Sequence, residues 1–321
     1  MTGQHFRIDS PPGSVEMSHS VAIEDPGGGS PVLLTCRWPS GAMPKACVVF
    51  CHGLGASGRD YAELSQFWAA KGYLVVHPTF PDAIGEVATA EPQLGFALDD
   101  ERLPSWTTVP ALRTRLFEIL HTPHYWLERI RIVRHVMDKL DIVRAQTTGE
   151  IAAPIPCAVA GHSFGAYTSQ LFAGAEIDIP ETGTRRFRDE RFKAAILLSA
   201  QGRDQQGLRE GSWDHIAGPL LNITGTRDGG AKGQDWLWKV EPYELAPSGD
   251  KYLAVLEDAD HYLGGFTPTD PATGFPEQRE AVAWLTLAFL EAYMAGNARA
   301  KSWLSSITDH VGDCRMQFRR K

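Results

Sequence analysis

Pro156-Cys157-Ala158-Val159-Ala160-Gly161-His162-Ser163-Phe164-Gly165-Ala166 is the stretch on which the reading of this chain turns. Its first half is a short, continuous apolar run of the kind a strand buried on both faces shows. Its second half opens a helix that reads on from Ser163 to Ala173. Between them stands G-x-S-x-G. In a strand-to-helix context this pattern is a sharp turn that lifts the serine hydroxyl clear of the backbone. The turn imposes strained dihedrals on Ser163, and small residues at Gly161 and Gly165 let strand and helix approach. The competing reading is an ordinary turn with Ser163 as the helix N-cap.

Outward from this point, buried strands alternate with helices. Ala46 to Cys51, Tyr73 to His77, Ile155 to Ala160, Ala194 to Leu198, Pro219 to Thr224 and Tyr252 to Leu256 read as strands. Val15 to Ile23 and Val32 to Trp38 precede them, split by the turn Asp25-Pro26-Gly27-Gly28-Gly29. Helical spacing marks Tyr61 to Lys71, and Ala111 to Val143 as one helix or two joined near Thr122-Pro123. It also marks Arg279 to Met294. The pattern predicts one α/β domain over residues 1–321. It has a mostly parallel sheet of about eight strands, an antiparallel start and helices on both faces. Residues 81–110 lack periodicity and read as an insertion or partial lid. Residues 296–321 read as an extension with a short packed helix.

Composition narrows the function classes. The chain has 321 residues, 43% hydrophobic and 22% charged, which suits a globular protein and excludes collagen-like or coiled-coil architecture. Lys+Arg 31 against Asp+Glu 39 gives a net charge of -8, a poor balance for gripping phosphates, so no nucleic-acid partner is expected. Local basic spots such as Arg315 to Lys321 are short and terminal. No apolar run approaches the roughly 20 residues of a membrane span. Met1 to Arg7 contains no apolar signal core. Cys36, Cys47, Cys51, Cys157 and Cys314 form no C-x-x-C pair, and four of them sit in apolar strands. They read as buried thiols of a cytoplasmic protein, with no disulfide framework and no zinc site. The oligomeric state stays open.

A serine hydroxyl is a weak nucleophile and needs a base with an acid behind it. After a G-x-S-x-G turn the chain order should be serine, acid, histidine. Asp228 follows the strand ending at Thr224, and His261 follows the strand ending at Leu256. Both lie in loops at the sheet edge that carries Ser163, where open α/β sheets hold their sites. Asp258 and Asp260 are too close to His261 in sequence to face it readily, and Asp214 precedes its strand. His121, His124, His135 and His215 are not at strand ends, and His121-Thr122-Pro123-His124 lacks a trusted zinc spacing. His162 points away from Ser163 and reads as structural. The loop His52-Gly53-Leu54-Gly55 follows the strand Ala46 to Cys51. The Leu54 and Phe164 N–H groups are the expected oxyanion donors, each worth about 2.7–4 kcal/mol in the transition state. Phe80, Trp213 and Trp236 are the candidate walls of an apolar substrate site, with Trp238, Tyr262 and Leu263 as further neighbours.

With His52-Gly53, Gly161-His162-Ser163-Phe164-Gly165, Asp228 and Asp260-His261, the chain resembles the α/β-hydrolases over roughly residues 30–295. The Gly161 to Ala166 motif, the helix Arg129 to Leu140 and the segment Thr224 to Asp228 make it similar to dienelactone-hydrolase-like and platelet-activating-factor-acetylhydrolase-like esterases. The resemblance implies a serine carboxylesterase with a small-molecule ester substrate and no cofactor. Dienelactone hydrolases themselves use cysteine where this chain has Ser163. Polyester- and cutin-type hydrolysis, acyl transfer and amide hydrolysis are the alternatives the same three residues would serve.

Overall fold

In the computed structural model of the chain, residue 6 and residues 13–25, 27–149, 153–265 and 275–321 are described. Met1–His5, Arg7 and Pro26 lie outside them, and with them the reading of the N-terminal stretch and of one turn residue. The strands are β1 (Val15–Ile23), β2 (Val32–Pro39), β3 (Ala46–Cys51), β4 (Tyr73–Pro78), β5 (Cys157–His162), β6 (Glu176–Ile179) and β7 (Gly183–Arg186). They continue with β8 (Phe192–Leu198), β9 (Leu220–Gly225), β10 (Lys251–Leu256), β11 (His310–Val311) and β12 (Cys314–Arg320). The helices are α1 (Ala62–Ala70), α2 (Ile84–Ala90), α3 (Pro110–His121), α4 (Pro123–Asp138) and α5 (Leu140–Thr147). Then come α6 (Phe164–Ala173), α7 (Leu237–Glu244), α8 (Pro276–Tyr293) and α9 (Ala298–Ser306).

Among the described residues the main sheet runs β1-β2-β4-β3-β5-β8-β9-β10-β12-β11, ten strands rather than about eight. The six inner strands from β4 to β10 are parallel, and antiparallel pairs close both ends. β6 and β7 form a separate hairpin. The two added strands come from the C-terminal extension. There the expected helix is α9, and the basic segment after it pairs with β10.

The parallel strands are buried nearly throughout, and mostly apolar, because each side of the sheet is covered. Val49, Cys51, Val159 and Leu197 pack under α4, α5 and α6, while Val48, Phe50, Ala158 and Ile196 pack under α1, α8 and α9. Alternation along each strand thus feeds two cores. The 111–143 region breaks at Thr122-Pro123, where proline removes an N–H and holds Thr122 extended, and again at Lys139. The 81–110 segment is more ordered than its sequence suggests. It holds α2 and two short 3₁₀ turns, with Val87 and Leu103 buried against α3. All five cysteines are buried and free. Among the described residues, no helix is long and apolar enough to cross a membrane.

Candidate active site

β5 delivers Ser163 to the carboxyl edge of the sheet, and α6 leaves it at once. Ser163 has φ 54° and ψ -119°, a left-handed conformation costly for a side-chain-bearing residue. Two glycines make the turn possible. A Cβ on Gly161 would lie 2.3 Å from the Gly165 carbonyl oxygen, and one on Gly165 would lie 1.8 Å from that of Cys51. The Ser163 amide donates to Leu198 O, which ties the turn to β8. The side chain makes no capping bond to α6, so the N-cap alternative does not describe it.

The hydroxyl instead meets His261. Ser163 Oγ is 3.0 Å from His261 Nε2, and His261 Nδ1 is 2.9 Å from Asp228 Oδ1. His261 is one-third exposed, while Asp228 is fully buried. Asp228 Oδ2 also accepts from Thr224 Oγ1 at 2.8 Å. Burial alone would raise the Asp228 carboxyl, but the charges of Lys239 and His261 overcome it and hold the group well below the usual carboxylate range. A carboxylate so held accepts from Nδ1–H and leaves the Nε2 lone pair facing the serine. That arrangement can withdraw the hydroxyl proton. The acids set aside from the sequence are engaged elsewhere. Asp258 pairs with Arg227 at 2.8 Å on the surface, and Asp260 accepts from the Tyr262 amide.

The loop after β3 is braced from behind. Gly53 N–H donates to Tyr61 Oη, Gly55 N–H to Asp82 O and Ala56 N–H to Gly53 O. Among the described residues, the Leu54 and Phe164 N–H groups have no backbone partner. Arg129 of α4 is fully buried between the rings of Phe80 and Phe164, 4.3 and 4.1 Å from their centroids. It grips Asp82 through two bonds of 2.9 and 2.5 Å and donates to His52 O at 2.8 Å. His52 is a strut: its Nε2 accepts from Phe80 N–H, and burial pushes its imidazole down to about 4.

The residues expected to wall a pocket are arranged differently. Phe80 and Trp213 are fully buried, the first around Arg129 and the second bonded to Gln170 Oε1 at 2.7 Å, so neither offers a surface to a ligand. The Phe164 ring is buried as well. Trp236 packs on α7 and β10 beside Val240 and Leu253. An open groove of about 690 Å³ lies instead along Thr107, Arg113, Phe117 and His121. Trp106, next to it in sequence, abuts Gly55 and meets Phe117 edge-on. Aromatic residues in loops do not reveal from sequence whether they line an opening or fill a core.

Two polar residues of the site escaped the sequence reading. Ser199, at the end of β8 with φ 57°, is 2.8 Å from His261 Nδ1. Its place after a buried strand, at the same edge as Ser163, was a usable signal. Lys239 on α7 lies 3.7 Å from Asp228 Oδ1, and nothing in its local sequence marks a buried lysine. Among the described residues, no group of three His, Cys, Asp or Glu side chains could hold a metal. The chain matches no protein-family model and no curated protein.

Proposed function

We propose that the chain is an α/β-hydrolase that cleaves carboxylic esters through an acyl-enzyme on Ser163. The observation that carries this is the hydrogen-bonded line Ser163 Oγ, His261, Asp228, with Ser163 held at a left-handed turn between β5 and α6. The parallel inner sheet and the chain order of the three residues support the same reading.

In this mechanism His261 Nε2 takes the hydroxyl proton as Ser163 Oγ bonds to the ester carbonyl carbon. Asp228 holds the tautomer and stabilises the imidazolium. The Leu54 and Phe164 amides receive the oxyanion. The alcohol leaves with the proton from His261. Water, deprotonated by the same ring, then attacks the acyl-enzyme, and the acid departs with Ser163 restored. Each step uses only the chain's own groups and water.

The test is hydrolysis of p-nitrophenyl esters from acetate to palmitate by wild type and Ser163→Ala. Turnover in the first and none in the second is expected. Equal turnover in both, or none in wild type, overturns the proposal.

A further inference from the structure

We propose that Lys239 is a positioning residue for this same line: a buried cation that works through Asp228 and the Ser199 hydroxyl to fix the His261 tautomer and to set the pH at which the site works. The inference rests on the esterase reading of Ser163 and extends it to a residue outside the three.

Donor accounting gives the geometry its meaning. An ammonium has three donors and no acceptor. Lys239 Nζ lies 3.1 Å from Ser199 Oγ, 3.3 Å from Ser199 O and 3.7 Å from Asp228 Oδ1. Its side chain is 2% exposed and Asp228 is fully buried. A lone buried ammonium would be costly, and here it has a carboxylate and two oxygens. Because Lys239 donates to Ser199 Oγ, that oxygen is an acceptor there, and its own hydrogen goes to the Asp228 carboxylate. Ser199 Oγ and Asp228 Oδ1 then both face His261 Nδ1 as acceptors, at 2.8 and 2.9 Å. Only a proton on Nδ1 satisfies both, and it leaves Nε2 free for Ser163. The backbone that carries the cation is tied to the sheet: Asn222 Nδ2 of β9 donates to the Lys239 main-chain carbonyl at 2.9 Å.

The charges follow. Around the His261 ring stand Asp228 from the β9 loop, Lys239 from α7, His162 from β5 at 5.0 Å between rings, and Tyr262 at 5.6 Å. Burial keeps His162 neutral, pushing it down to about 3, and burial keeps the Tyr262 phenol protonated by raising it. Asp260 is exposed and turned to the Tyr262 amide. The imidazolium that forms on His261 therefore sees a carboxylate already shared with an ammonium. Without Lys239 it would see an unshared one and form more readily, which blocks the base at higher pH. Burial lowers the Lys239 ammonium from its ordinary value, and Asp228 opposes that fall.

The experiment measures the rate at which a fluorophosphonate labels Ser163 across pH 4.5–9 in wild type, Lys239→Met, Lys239→Arg and Ser199→Ala. It runs beside the His261 ring titration followed by NMR on histidine-labelled protein. Lys239→Met should move the acid limb and the ring titration to higher pH by about one unit. Lys239→Arg should return both toward wild type, and Ser199→Ala should slow labelling several-fold with the limb in place. If wild type does not label, the esterase reading falls and takes the inference with it. If wild type labels and Lys239→Met has a superimposable profile, whatever its stability, the inference alone falls. Should Lys239→Met fail to fold, lysine-side-chain NMR of wild type decides: the proposal requires a charged Lys239 at neutral pH, and a neutral amine there overturns it.

Discussion

His162 Nε2–H donates a 2.7 Å hydrogen bond to the main-chain carbonyl of His261, 99 residues away in the chain. The other nitrogen of the same ring accepts from Tyr61 Oη at 3.0 Å, and Tyr61 Oη accepts from the Gly53 amide at 3.0 Å. One buried imidazole therefore spaces the histidine loop against the loop that carries Leu54. Only the neutral ring can donate at Nε2 and accept at Nδ1 together.

Replacing that ring tests the spacing. His162→Leu keeps the volume and removes both bonds, which leaves the Tyr61 hydroxyl proton without an acceptor and the His261 carbonyl without its imidazole donor. Stability should fall by about 1–3 kcal/mol. A shift of about 1 Å in the His261 loop should lower kcat/KM by about 10²-fold. Urea midpoints and ester kinetics check the two effects, and unchanged kinetics would show that His162 merely fills space.

Asp228→Asn keeps the shape and lets the amide present an N–H to His261 Nδ1. The ring then turns to the other tautomer, and kcat should drop by about 10⁴. Steady-state rates on the best p-nitrophenyl ester decide it. Near-normal turnover would place the acid elsewhere and bring Asp258 and Asp260 back into consideration.

Arg129 tests the brace behind the loop. Arg129→Met leaves Asp82 a fully buried, unpaired carboxylate and frees the His52 carbonyl. The loss should be about 3–5 kcal/mol, because removing one partner strands the other. Arg129→Met with Asp82→Leu should recover much of it, and a denaturant series on both variants provides the comparison.

Acid should destabilise the fold well before the ordinary carboxylate range. Burial pushes His52 down to about 4 and His162 to about 3, and it holds His77 well below its ordinary value. Below pH 6.5 the unfolded chain binds protons at these rings and the folded chain does not. Stability is therefore full above that value and falls as pH drops toward 4, by about 1.4 kcal/mol per pH unit for each ring. Asp228, whose folded value is depressed, adds stability above its unfolded value that is lost as acid protonates it. Urea midpoints between pH 7.5 and 4 should fall steeply, with a shallower slope in His162→Leu. A flat series would contradict the burial argument.

The inner strands were readable because burial on both faces makes them mostly apolar, most plainly in Ala46 to Cys51. β12 was not, because Arg315, Gln317, Arg319 and Arg320 give a half-exposed strand near the sheet edge the look of a loose basic tail. Ser163, Asp228 and His261 stood out because each follows a legible strand. Ser199 follows one too but carries no motif. Lys239 was hidden because only tertiary packing buries a lysine, and α7 around it has little apolar patterning. Phe80 and Trp213 show the converse: their types suit a ligand wall, and packing has used them for the core.

The strand order has a kinetic consequence. Ser163 and His261 stand 98 positions apart, and Asp228 and His261 stand 33 apart. Their meeting point forms only where β5, β8, β9 and β10 lie side by side in parallel, and each such pairing needs a long crossover. Closing loops of that length before any contact repays them makes for slow refolding. The fluorophosphonate-reactive fraction should then appear last in a refolding time course, after helical signal and compactness, so serine labelling would report completion of the entire inner sheet.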